Sequence, residues 1–162
     1  MTQAKTRLVC AALFASTFAV VPALAVAAAD APMTVVRTFM DDFNKGDIPG
    51  AQATHAADAA IIDEVPPHQW HGPGAFTAWL GDLGKDSAAA GQTDEHVALG
   101  PVVREQVDGD TAYVVMKVVF TYKLKGVPTT ENALFTAALG KQGDAWKITG
   151  WAWAGEVPQP AK

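Results

Sequence analysis

The side chains with chemical potential gather in one short stretch. Asp63 lies in Ile61-Ile62-Asp63-Glu64-Val65 and alternates with Ile61 and Val65. In an extended chain those three share a face. Asp63 is therefore expected to point into whatever apolar space the two aliphatics occupy. Burial there would raise its pKa toward the range of a general base. The plainer alternative is a strand-end carboxylate bonded to a loop N–H. Directly after it comes Pro66-Pro67-His68-Gln69-Trp70-His71-Gly72. His68 and His71 could shuttle protons beside Asp63. With Asp63 or Glu64 they could also hold a metal, but the spacing fixes no third ligand, and no metal site is expected. Trp70 is read as a lid at the mouth of a pocket, within a solvated loop. His55 and His96 stand alone and are read as structural.

The large aromatics are the second group. Trp151 and Trp153 alternate with Ala152 near the C-terminus and share one face of an extended chain. Such pairs line a ligand pocket or pack in an interface. Trp79, Phe39 and Phe135 are expected in the same apolar space. Other chemistries lack their residues. There is no G-x-S-x-G, Walker loop, dinucleotide fingerprint or H-E-x-x-H. Arginine occurs only at Arg7, Arg37 and Arg104, which disfavours anionic substrates and nucleic acid. Hydrophobic residues make up 49% and charged residues 18%, with a net charge of −5. Those values exclude a disordered tail protein and an electrostatic nucleic-acid binder. The single cysteine, Cys10, permits neither a disulfide framework nor a cysteine-based zinc site. No cofactor is expected.

These residues need elements to position them. Residues 1–29 read as a secretory signal peptide. Lys5 and Arg7 precede an apolar run from Leu8 to Val21, and Ala23-Leu24-Ala25 through Ala29 offers small-residue cleavage choices. Removal would take Cys10 with it and leave a chain free of thiols, suited to a periplasmic or secreted location with no membrane contact. Residues 30–157 are expected to form one domain, with 158–162 a loose tail. Val36, Phe39, Met40 and Phe43 fall at i, i+3, i+4, i+7 and mark a helix over Met33 to Lys45, ended by Gly46. A second short helix is expected over Pro49 to Ala57, and a strand over Ala59 to Val65. Phe76, Trp79, Leu80 and Leu83 mark a third helix, with Lys85 to Gln92 as a connector. After residue 92 the period changes to two. Turn signals at Asp108-Gly109, Lys125-Gly126 and Gln142-Gly143-Asp144 divide a four-strand antiparallel meander. Gly100-Pro101 marks a bulge in its first strand. Segregated helices and strands predict an α+β fold, a curved antiparallel sheet or cone packed on about three N-terminal helices.

This order resembles the nuclear-transport-factor-two-like superfamily, which includes ketosteroid isomerase, scytalone dehydratase and SnoaL-like polyketide cyclases. Phe39-Met40-Asp41-Asp42-Phe43-Asn44-Lys45-Gly46-Asp47 looks like that group's first helix and its exit. Ala57-Asp58-Ala59-Ala60-Ile61-Ile62-Asp63 looks like its first strand, and Trp146-Lys147-Ile148-Thr149-Gly150-Trp151 like its last. The resemblance implies that Asp63 stands where the isomerase branch carries its base. It also implies that the hydrogen-bond donors of that branch are replaced, one by Phe39 and the other by Phe135. Losing such a donor costs ~3–4 kcal/mol of transition-state stabilisation. The preferred reading is therefore a secreted binder of a small apolar molecule. A lyase, isomerase or cyclase using Asp63, helped by His68 or His71, is the first alternative. A dimeric interaction module with a filled cone is the second. Thr130, Asn132, Leu134 and Thr136 share the face opposite Phe135, which suits a homodimer through the outer sheet face, a common arrangement in the resembling group.

Overall fold

The structure is a computed structural model, and residues 31–161 are described. The signal-peptide reading of residues 1–29 lies outside the described residues. Helix α1 spans Pro32–Lys45 and buries Val36, Phe39 and Met40, the expected stripe. Gly46 ends it with φ 73. Asn44 then ties the helix end to the sheet. Its side chain donates to Val97 O at 2.8 Å and accepts from Val97 N–H at 2.9 Å. Helix α2 covers only Ile48–Ala53, started by the Asp47 side chain accepting from Gly50 N–H at 3.0 Å. It is shorter than expected because Thr54 Oγ1 bonds back to Ala51 O and closes the last turn. Strand β1 therefore begins early and runs His55–Ile62.

A two-residue strand, β2 (Gln69–Trp70), pairs antiparallel with β1. Helix α3 spans Ala75–Ala90 and buries Phe76 and Trp79. The stretch expected to be a connector from Lys85 is its last turns. Ala88, Ala89 and Ala90 are strong helix formers, and Gly91 ends the helix with φ 75. The meander follows as β3 (Gln92–Asp108), β4 (Thr111–Leu124), β5 (Val127–Gln142) and β6 (Ala145–Gly155).

The sheet order is β2-β1-β6-β5-β4-β3. It is mixed rather than purely antiparallel, since β1 runs parallel to β6. Register shifts bend β3 against β4 between Leu99 and Val102 and again before Arg104. A Cβ at Gly100 would lie 2.9 Å from Lys117 O, so glycine lets the two backbones approach at this bend. Bulges of this kind bend the strand and raise the curvature of the sheet. The expected tail is in part ordered. Gln159–Pro160 forms β7, which pairs with Thr130 and Thr129 of β5.

The core fills the concave side. Inward positions of β5 are the odd ones, with Phe135 and Ala137 fully buried, while Leu134 on the outer face is exposed. Among the described residues no helix is long and apolar enough to cross a membrane.

Candidate functional site

The concave face of the sheet and two helices line a half-open cavity of about 100 Å³. Helix α1 contributes Phe39, Met40 and Phe43, and α3 contributes Trp79, Leu83 and Asp86. Gln92 and Val97 come from β3, Phe120 from β4, Phe135 from β5, and Trp151 and Trp153 from β6. The turn after β1 supplies Asp63, Glu64 and Val65. Nearly half of the lining residues are aromatic. Phe39 and Phe135 stand with ring centroids 6.0 Å apart, and Trp79 meets Trp151 edge-on at 4.9 Å.

Asp63 faces inward with Ile61 and Val65, although regular strand structure stops at Ile62. Trp79 Nε1–H donates to its Oδ2 at 2.7 Å, and the Glu64 N–H donates to its Oδ1 at 2.6 Å. Burial pushes the Asp63 carboxyl above the usual carboxylate range, and these two donors hold it down in part.

Glu64 and Glu131 form a second acidic feature. Glu131 sits at an inward position of β5 and is 2% exposed. Trp153 Nε1–H donates to its Oε1 at 2.8 Å. Burial raises its pKa, against the lowering effect of Trp153. The Glu64 carboxyl reaches the same place, and burial followed by the nearby Glu131 charge pushes it up to about 7. Two carboxyls this close hold one proton between them more easily than two negative charges. Gly155 makes the room. A Cβ there would lie 2.6 Å from Glu64 Oε2 and closer still to Glu131 Oε1.

Below the cavity, His55 is buried among Phe39, Phe76 and Trp151. Trp151 Nε1–H donates to His55 Nε2 at 3.0 Å, and His55 Nδ1 lies 3.0 Å from Ala51 O. Those partners assign the proton to Nδ1. Burial drives its pKa down to about 4, so the ring is neutral.

Residues 36–152 match the SnoaL-like domain. The chain belongs to that family. Among solved structures it is similar to the hexachlorocyclohexane dehydrochlorinase LinA-type3 from Novosphingobium barchaimii, with 14% identity and a TM-score of 0.65 over 80% of this chain and 89% of that one. It is also similar to a scytalone dehydratase-type structure from Novosphingobium aromaticivorans, at 10% identity and TM-score 0.64 over 80% and 85% of the two chains. A ketosteroid isomerase-like protein from Erwinia carotovora atroseptica gives 20% identity and TM-score 0.55 over 76% and 92%. At such identities the likeness establishes the fold alone. Among curated proteins none matches significantly.

Within this SnoaL-like domain the expected site residues separate. Asp63, Phe39, Trp79, Phe135, Trp151 and Trp153 converge on the cavity. His68, His71 and Trp70 do not line it. His68 and His71 are exposed, because the loop turns outward after Val65. Trp70 is buried behind the loop rather than set at the mouth, with its indole N–H on Asp82 Oδ2 at 3.1 Å. Among the described residues no three His, Cys, Asp or Glu side chains group as a metal site. Glu131 is not among the residues expected from the sequence, and Glu64 is expected there only as an alternative partner of His68 and His71. Glu131 had a signal, since it shares the parity of Phe135 on β5 and is the one acid in the buried inner row from Thr129 to Leu139.

Proposed function

We propose that this SnoaL-like domain binds a small, largely apolar molecule, about one ring in size, inside the cone and without isomerase chemistry. The observation that carries this reading is the aromatic cavity itself. Its volume of about 100 Å³ is on the order of the ~150 Å³ cavity that accepts benzene. The loss of donors at the two positions where the isomerase branch would carry them argues against enolate chemistry of that kind. Phe39 and Phe135 offer none, and the indole N–H groups of Trp79, Trp151 and Trp153 are each engaged by a protein acceptor. An oxyanion forming in the cavity would have no preorganised indole donor.

The test is titration with ring-sized apolar molecules, followed by tryptophan fluorescence. Saturable quenching that persists within about threefold in Asp63→Asn is expected, since both Asp63 oxygens are already occupied by protein donors. Loss of binding in that variant would make the carboxylate a central contact and overturn the assignment.

A second reading has one observation in its favour. The raised pKa of Asp63 suits a general base of a lyase, isomerase or cyclase. Turnover would then rise with pH as Asp63 deprotonates and vanish in Asp63→Asn. Unchanged turnover would remove it.

Two further features belong to the proposal. The signal-like residues 1–29 support export to the periplasm or medium, checked by the mass of the protein recovered there. Exposed Tyr113 and Leu134 on the outer sheet face support a homodimer with a second copy of this chain. Light scattering of Leu134→Asp against the parent checks that.

A further inference from the structure

We propose that the molecule taken into the cone is an organic cation, an amine or quaternary ammonium group carried on an apolar body. This rests on the pocket reading above and names the chemical class of its ligand.

The charge of the walls is one-sided. Asp63, Glu64 and Asp86 line the cavity, and among the described residues no Lys, Arg or His does. Glu131 stands behind Glu64 and is almost wholly buried. Among the described residues its only donor other than the Glu64 carboxyl is the neutral Trp153 indole. Neutral donors orient a buried carboxylate, but they do not cancel its charge. An anion entering here would meet only like charge. A neutral ring would leave the acids as crowded as before. A cation supplies the missing countercharge.

The aromatic walls point the same way by an independent route. The faces of Trp, Tyr and Phe rings attract cations, most strongly when desolvated. Trp153 is the junction. Its indole N–H holds Glu131 Oε1, and its ring meets Phe120 edge-on at 6.1 Å. Gly155, on the same strand, leaves open the space into which both carboxyls turn. A side chain at 155 would displace them, so the backbone there keeps the acids at the aromatic wall.

The experiment is calorimetry on the full chain at about pH 8, where Glu64 is mostly ionised. The probes are benzylamine, benzyl alcohol and benzoate, which share one ring and differ in charge. Benzylamine is expected to bind at least tenfold tighter than benzyl alcohol, with benzoate the weakest. Glu64→Gln should cut the preference at least threefold, and Glu64→Gln/Glu131→Gln should bring it below about twofold. Circular dichroism checks that each variant folds. Glu64 reaches the surface, so its single variant stands even where the double variant fails to fold. Equal binding of benzylamine and benzyl alcohol overturns the cation assignment and leaves the pocket reading intact. So does an unchanged preference in Glu64→Gln. Absence of binding by all three probes overturns both.

Discussion

His55 and Glu131 each meet a tryptophan N–H inside the same sheet, His55 from Trp151 at 3.0 Å and Glu131 from Trp153 at 2.8 Å. The two tryptophans sit two residues apart on β6. Their environments nevertheless push the ionisable groups in opposite senses. His55 sheds its proton on burial, and a neutral imidazole is fully served there by one donor and one acceptor. Glu131 has one neutral donor and a second carboxyl against it. Burial of a group that is satisfied when neutral builds structure. Burial of a group that wants a countercharge leaves a demand for a partner. The difference separates the floor of the cone from its acidic wall.

The largest test of that contrast is His55→Ala. The imidazole touches Phe39 and Phe76, each at a centroid distance of 4.7 Å. Its removal opens a void and strands the Trp151 N–H. A loss of about 3–4 kcal/mol is expected, from the cavity and the orphaned donor together. Urea denaturation measures it. A loss below about 1 kcal/mol would mean that the floor is as dispensable as a surface.

Acid titration sharpens the contrast, because the two regions have opposite linkage signs. His55 has its pKa lowered from 6.5 to about 4. Between those values the unfolded chain binds more protons, so stability is lost as pH falls through the window. The full difference is about 3 kcal/mol. Glu64 has its pKa raised from 4.5 to about 7. The folded chain binds more protons in that window, so its contribution is present below 4.5 and lost as pH rises through about 7. Solvent reaches Glu64, so its slope is the shallower. In the parent chain the two partly cancel between pH 4.5 and 6.5. Removing the acids as Glu64→Gln/Glu131→Gln should steepen the loss on acidification. Thermal melts across that window read the slope, and an unchanged slope would show that the acids do not titrate there.

The sequence exposed the two regions unequally, and periodicity explains why. The stripe on α1 and the meander were legible because burial repeats at fixed intervals, and Phe39, Phe135, Trp151 and Trp153 fell on the expected faces. Asp63 followed the same alternation. His68 and His71 lie near it along the chain, but such proximity carries no direction once the strand ends at Ile62. Glu64 was obscured for the same reason. Strict alternation would send it away from Asp63, yet both line the cavity. His55 stands alone along the chain, since its donor Trp151 is 96 residues away and reaches it only through the fold. The end of α3 was hidden by small residues, which read equally as linker or helix.

The smallest expected effect is also the most discriminating. Glu131→Gln keeps shape and can still accept from the Trp153 N–H, while its amide N–H can donate to the Glu64 carboxylate. Above pH 7 it replaces like-charge crowding by a charge-assisted hydrogen bond. A gain of about 1 kcal/mol is expected, since trading a buried charge for a neutral isostere is often neutral or stabilising. Urea denaturation at about pH 8 resolves it, and the gain should shrink as the pH falls and the parent pair takes up its shared proton. Had Glu131 the structural role of His55, the same substitution would cost stability instead. The sign of this small change therefore decides whether the acid wall is part of the scaffold or a site kept under strain for a ligand.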